Sequence, residues 1–339
     1  MTEPAGRTID GRFDLVRLIG RGGFGEVWLG RRRDSGQPVA VKLLAKVAKP
    51  DVTTRERFLR EASTIALLRN PNTVRLYDSG CEPDDRLFMI LEYIDGVNLQ
   101  VRLDQLAARG VVPSQGEVID LAVQVLRSLA EAHRAGIVHR DIKPSNLMLQ
   151  PVDTDTCMVR VLDFGVAHTR ESKLTAVGLA VGTPAYMSPE QCLSYPVDGR
   201  ADLYALGVIL FRCVADRAPF EGKTGSVIMQ HISQTPPNLR GKAQTLVSEE
   251  FVALVERALA KDPESRFADA TEMRRCLEAA RATNPPEVAA VGLLSPGVAS
   301  QATVSELLTG MPSAQVTVDQ RTMAEFEIMP LTNDERVKR

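Results

Sequence analysis

Between residues 13 and 44 the apolar positions fall in short, β-branched runs, Phe13 to Ile19, Val27 to Leu29 and Val39 to Leu44. Glycine-rich and Asp-Ser-Gly turns divide them, so the pattern predicts three strands in antiparallel order. Arg55 to Leu68 then places Phe58, Ala62, Ile65 and Leu68 at helical spacing, and Asn70-Pro71-Asn72 ends that helix. Two further strands are predicted at Val74 to Tyr77 and Leu87 to Leu91. After Gly96 the period lengthens. Ser114-Gln115-Gly116-Glu117 has the form of a capping box ahead of Val118, Leu121, Ala122, Val125 and Leu129. Helices are also predicted at Asp202 to Val214, Glu249 to Leu259 and Thr271 to Ala282.

The chain therefore divides into an N-terminal extension, 1–12, a folded region, 13–282, and a tail, 283–339. The folded region is strand-rich to residue 95 and mainly helical from 96 onward, an α+β arrangement as one two-lobed domain or two small ones. The tail is rich in Pro, Ser, Thr and Ala with weak periodicity, which predicts a largely unfolded segment. Within it, Thr303 to Leu308 and Glu325 to Leu331 are short candidates for docking or autoinhibitory elements.

With 339 residues and 44% hydrophobic composition the chain can bury a large core. Its 41 Lys and Arg against 43 Asp and Glu leave a net charge of -2, which supplies no general field for nucleic acid or an anionic membrane. Arg31-Arg32-Arg33, beside Asp34, reads as the solvated end of a hairpin. Cysteines 81, 157, 192, 213 and 276 form no C-x-x-C pair, so neither a disulfide framework nor a zinc site is expected, and a reducing compartment fits. No window has the length of a membrane helix, and the start of the chain lacks the apolar core of a signal peptide.

Candidate chemistry sharpens the picture at three places. The first is Ile19-Gly20-Arg21-Gly22-Gly23-Phe24-Gly25-Glu26-Val27, a G-x-G-x-x-G-x-V loop whose missing β-carbons would let backbone N–H groups approach polyphosphate. A dinucleotide fingerprint needs a helix directly after its glycines. Here a strand follows, Val27-Trp28-Leu29, which argues against that reading. The second is Val39-Ala40-Val41-Lys42, where strand alternation puts Ala40 and Lys42 on one face. A small side chain leaves room there for a flat base, and the lysine can reach phosphate. Glu61, on the buried-side register of the first helix, is the acid expected to pair with Lys42.

The third place is the polar loop His139-Arg140-Asp141-Ile142-Lys143-Pro144-Ser145-Asn146, set between apolar Ile137-Val138 and Leu147-Met148-Leu149, both expected to be buried strands. Asp163-Phe164-Gly165 follows 22 residues after Asp141, at the end of another apolar run. The two acidic groups together suggest a metal-phosphate site, since Mg²⁺ takes hard oxygens and draws only one or two from protein. His133 and His231 show no partner in the sequence that marks them out.

In this order the glycine loop, Val39-Ala40-Val41-Lys42, Glu61, the H-R-D loop and D-F-G resemble the protein-kinase family over residues 13 to 280, and most closely its bacterial Ser/Thr members. The resemblance implies the two-lobed kinase fold, with ATP and Mg²⁺ (Mn²⁺ as an alternative) as cofactors and protein serine or threonine as the acceptor. It implies that Asp141 orients the acceptor hydroxyl, Lys143 neutralises the transferring phosphoryl, and Asn146 and Asp163 hold the metal. Lys42 would hold the α- and β-phosphates under the Ile19 to Val27 loop, Leu91 would be the gatekeeper, and the backbone of Glu92 to Ile94 would bond adenine between Ala40 and Met148. Met187-Ser188-Pro189-Glu190 differs from the family's A-P-E only by a serine, and Glu190 is expected to pair with Arg266. Asp202 is expected to cap the catalytic-loop backbone.

Lys143 and Gly182-Thr183-Pro184 resemble the Ser/Thr-specific pattern. Arg140 would read a phosphate on the loop between Asp163 and Glu190, with Thr169, Ser172, Thr175 and Thr183 as candidates and Thr175 preferred. In similar bacterial kinases the small lobe often dimerises. The expected setting is the cytoplasm, as a free enzyme or as the cytoplasmic part of a longer, membrane-anchored chain. A noncatalytic scaffold of the same fold would lack Lys42, Asp141 or Asp163, and all three are present. A small-molecule kinase would lack the Gly182 to Glu190 segment.

Overall fold

The computed structural model describes residues 6–22, 25–44, 52–153, 156–164, 184–281 and 292–294. Its first part is a six-stranded antiparallel sheet in the order β1-β2-β3-β4-β6-β5. The strands are β1 (Thr8–Ile9), β2 (Phe13–Gly22), β3 (Gly25–Arg32), β4 (Pro38–Leu44), β5 (Leu76–Cys81) and β6 (Leu87–Glu92). Helix α1 (Val52–Ile65) lies between β4 and β5 in sequence and packs against β5.

Strand alternation gives this sheet two different faces. Ile9, Phe13, Leu15, Trp28, Val39, Val41, Leu43, Phe88 and Ile90 are buried together in one apolar cluster. On the other face, Lys42 stands opposite both Val27 and Met89, and Ala40 opposite both Leu29 and Leu91. Of these, Val27, Leu29, Ala40, Lys42 and Leu91 are only half-buried, so this face is the candidate roof of a cleft.

Several boundaries move from the sequence expectation. The stretch read as an N-terminal extension contributes β1, which pairs with β2 and buries Ile9 completely. Two residues are too few to show a period. Ile137-Val138 is not a strand, but Leu147 to Leu149 is, within a second sheet of β7 (Val97–Asn98), β8 (Leu147–Pro151) and β9 (Cys157–Val161). Helix α2 (Leu99–Ala107) directly follows β7, capped by the Asn98 side chain on Val101 N at 2.9 Å. It lies outside the helices predicted above, although Leu99, Leu103 and Leu106 recur at helical spacing and are buried.

The remaining helices carry the second lobe: α3 (Gln115–Arg134), α4 (Pro189–Cys192), α5 (Arg200–Ala215), α6 (Thr224–Ser233), α7 (Glu249–Ala258) and α8 (Ala270–Ala280). The expected capping box starts α3, with Ser114 Oγ accepting from Glu117 N at 3.3 Å and Glu117 Oε2 accepting from Ser114 N at 2.9 Å. Helix α5 is apolar on every side and buried along nearly its whole length, so it forms the axis of the lobe. No described helix is long and apolar enough to cross a membrane. Within the segment read as an unfolded tail, Gly292–Leu294 is placed, and Leu293 is fully buried.

His231, which the sequence left without a role, is fully buried on α6. Its Nδ1 lies 2.8 Å from the Tyr204 hydroxyl, and its ring packs edge-on against Phe220. Burial, with the nearby Lys261 charge, pushes its pKa down from 6.5 to about 4. The unfolded chain therefore binds the extra proton between about pH 4 and 6.5, so stability rises with pH across that interval and is lost on acidification. Chemical denaturation at pH 7 and pH 5 should show His231→Asn losing about 2 kcal/mol less than wild type over this step.

Candidate active site

The site is built from the loop between α3 and β8, and its geometry begins with Asp202 at the start of α5. That carboxylate is 1% exposed. Its Oδ2 accepts from His139 N at 2.9 Å and lies 2.8 Å from His133 Nε2, while its Oδ1 accepts from Arg140 N at 2.8 Å. Burial would raise the Asp202 pKa, but the bond to His133 and its charge, with the backbone N–H of His139, hold it below the usual carboxylate range. Arg140 is held at φ +65°, a left-handed conformation unusual for a residue with a side chain, and its N–H bond to Asp202 helps to fix it.

His139 locks the next layer. Asp141 N donates to His139 Nδ1 at 3.2 Å, so Nε2 is the protonated nitrogen and donates to the Leu162 carbonyl at 2.6 Å. Leu162 N donates in turn to the Asn146 carbonyl at 2.9 Å. The histidine thus ties the segment carrying Asp141 to the segment carrying Asp163, and its ring packs against Phe164 with centroids 4.8 Å apart.

On this frame Asp141, Lys143 and Asn146 converge. Lys143 Nζ lies 2.8 Å from Asp141 Oδ2, and Asn146 Nδ2 donates to Asp141 Oδ2 at 3.0 Å and to the Asp141 carbonyl at 2.8 Å. Asp163, also left-handed at φ +54°, places Oδ1 2.8 Å from Lys42 Nζ. Burial would push its carboxyl up, but the Lys42 charge and hydrogen bond, with smaller help from Lys143, hold it below the ordinary value. Lys42 from the sheet face and Asp163 from the other lobe therefore meet. Glu61, the partner expected for Lys42, is half-buried on α1 and lines a cavity of about 270 Å³ with Arg140 and Phe164.

The loop residues divide differently from the sequence reading. Gly22 pairs with Gly25 across the β2–β3 hairpin, and Gly25 sits at φ +137°, which glycine adopts without strain. Gly23 and Phe24 lie outside the described residues. Glu26 is buried and engages Trp28 Nε1 at 3.2 Å, Arg21 at 2.9 Å and Arg86 at 3.4 Å, so its carboxylate braces the small lobe. Between the lobes, Glu92 N donates to the Arg75 carbonyl at 2.9 Å and its carboxylate bonds Arg160 of β9. Ile94 is buried. Gly96 allows the crossing there, because a β-carbon would come within 2.3 Å of the Leu149 carbonyl oxygen. Met148 is half-buried on β8 opposite Asn98.

The expected pair of Glu190 and Arg266 is present and bidentate, at 2.7 and 2.8 Å. Arg266 also donates to the carbonyls of Ala260, Arg200 and Lys261, which satisfies all five of its N–H groups. Sequence reasoning missed two contributors. His133 shares Asp202, a contact between residues 69 apart. Gln191 closes a second capping box with Ser188 and donates to the Arg140 carbonyl at 2.8 Å. The box is visible as Ser-Pro-Glu-Gln, but its reach to the loop is not. Thr169, Ser172, Thr175 and Thr183 lie outside the described residues. Among the described residues no group of three or more His, Cys, Asp or Glu could hold a metal.

Residues 13–278 match the family model of the protein kinase domain, and the chain belongs to that family. It is 36% identical over 284 residues to serine/threonine-protein kinase pkn3 of Myxococcus xanthus, covering 82% of this chain and 51% of that protein. It is 34% identical to serine/threonine-protein kinase PknB of Mycobacterium leprae, covering 81% and 44%. The chain thus spans about half the length of the relatives it matches. Among solved structures it resembles the Mycobacterium tuberculosis PknI kinase domain with a TM-score of 0.65 and 27% identity, covering 82% of this chain and 100% of that one.

Replacing Arg266 by Leu would leave the buried Glu190 carboxylate without its cation. Urea unfolding should show a loss of about 3–5 kcal/mol relative to wild type.

Proposed function

We propose that this chain transfers the γ-phosphoryl group of ATP to serine or threonine hydroxyls of proteins. The observation that carries the reading is the convergence of Asp141, Lys143 and Asn146 on one loop, tied through His139 to the Asp163 segment that meets Lys42 at 2.8 Å. Membership of the kinase family and relatives named serine/threonine-protein kinases support it.

In this reading Asp141 orients the acceptor hydroxyl and takes its proton as the oxygen bonds to the γ-phosphorus and the bond to ADP breaks. Lys143 sits beside that carboxylate to offset negative charge on the moving group. Lys42 would exchange its bond to Asp163 for the α- and β-phosphates. The metal fit rests on donor chemistry: Asn146 turns its Nδ2 to Asp141, which leaves Oδ1 as the amide end for a cation, and Asp163 supplies a carboxylate. Two hard oxygens suit Mg²⁺ or Mn²⁺, which neutralises phosphate charge when bound with ATP. The half-buried face of Ala40 and Leu91, with Met148 below and the backbone of Glu92 to Ile94 at its edge, is the adenine slot. Glu61, the Ile19 to Val27 loop, autophosphorylation at Thr175, Thr183, Ser172 or Thr169, pairing of small lobes and a cytoplasmic setting belong to the same proposal and rest on the family resemblance.

The test is transfer of labelled phosphate from ATP to the protein itself and to myelin basic protein. Asp141→Asn and Lys42→Met should each reduce labelling by about 10²-fold or more. Equal labelling by wild type and both variants contradicts the reading.

A further inference from the structure

The family match ends at residue 278, and α8 ends at Ala280. Gly292–Leu294 nevertheless sits against the large lobe. Leu293 is 0% exposed and belongs to the main apolar core of that lobe. Its N–H donates to Glu117 Oε1, while Oε2 of the same carboxylate closes the capping box at Ser114. One acid therefore holds both the start of α3 and the returning chain. Leu294 is partly buried and lines a groove of about 520 Å³. Ile119, Asp120 and Val123 of α3 line the groove from one side, and Glu278 of α8 with Arg281 from the other. Arg281 and Asp120 are joined by an ion pair that bridges the two sides.

A leucine in this position is not explained by chance contact. Burying a whole leucine side chain is worth about 1.5–3 kcal/mol, which helps to offset ordering the few residues that carry it. The bond from its N–H to Glu117 adds a directional contact that a merely apolar patch would lack. Residues 282–291 supply enough chain to return from α8.

We propose that the face formed by α3 and α8 is a docking site for the chain's own Gly292-Leu293-Leu294, with Leu293 as the anchor. The catalytic domain then closes at this anchor and not at the end of α8. Because α3 leads into the loop carrying Asp141, the anchor also braces the helix behind the candidate site.

The full chain and its Leu293→Ala, Leu293→Asp and Leu294→Ala variants would be compared by thermal denaturation, with hydrogen exchange at the Leu293 amide in wild type. Leu293→Ala should lower Tm by roughly 4 °C or more, and Leu293→Asp by more still, while alanine at the partly buried Leu294 costs less than alanine at Leu293. The Leu293 amide should exchange far more slowly than in an unstructured peptide. Should Leu293→Asp fail to fold, Leu293→Ala and the exchange measurement still decide. A Leu293→Ala Tm within 1 °C of wild type, or peptide-like exchange of that amide, overturns the proposal whatever the phosphotransfer assay shows.

Discussion

A buried carboxylate at the start of α5 holds the candidate site in shape. Asp202 sits where burial alone would favour its neutral form, and it stays ionised because three donors converge on it. Two of those donors are consecutive backbone N–H groups of the catalytic loop. Their direction accompanies the left-handed turn at Arg140, and that turn presents His139 inward. The imidazole then fixes its own tautomer by accepting from Asp141 and donating to Leu162. Both acids that the chemistry needs, Asp141 and Asp163, are in this way referred to a single point in the large lobe. The axis carrying that point is itself immobilised by being apolar on all sides.

The small lobe contributes through a different constraint, the two-residue period of its strands. The face opposite the Trp28 and Phe88 cluster is kept half-buried, and only there can a lysine reach across to the other lobe. Lys42 and Asp163 neutralise each other in this structure. In the proposed reaction the same two groups separate their duties between phosphate and metal, so the pair is a resting arrangement of the charges that the chemistry uses. Glu92 and Arg160, joined across the hinge, and Gly96, pressed against Leu149, keep the connection between the lobes short and tight.

How much of this could be read from sequence depends on distance along the chain. Local rules found the hairpin of β2 and β3, the capping box at Ser114 and the alternation that puts Ala40 and Lys42 together, because each is decided within a few residues. Motif order pointed to the residues of the candidate loop, and the pairing of Glu190 with Arg266 followed from the family resemblance. Contacts between distant segments were invisible: His133 to Asp202, Gln191 to Arg140, Glu26 to Arg86, and Leu293 into the core. The two-residue elements β1 and β7 were missed because two residues carry no period, whereas in α2 the spacing of Leu99, Leu103 and Leu106 was legible. Leu293 was misread for a related reason. A lone apolar anchor in a Pro- and Ala-rich stretch has the composition of an unfolded tail, and only its burial tells otherwise.

Substituting Asn for Asp202 is the most direct test that this carboxylate organises the site. The side chain keeps its size but loses its charge and one of its two acceptor oxygens, while Lys42, Asp163 and the sheet face are left untouched. Purified wild type and Asp202→Asn would be compared for MgATP affinity by calorimetry and for phosphotransfer rate at saturating ATP. The account predicts an affinity within a few-fold of wild type and a rate lower by about 10²-fold, since misplacing a catalytic group by about an ångström costs that much. An unchanged rate in a folded Asp202→Asn protein would contradict it.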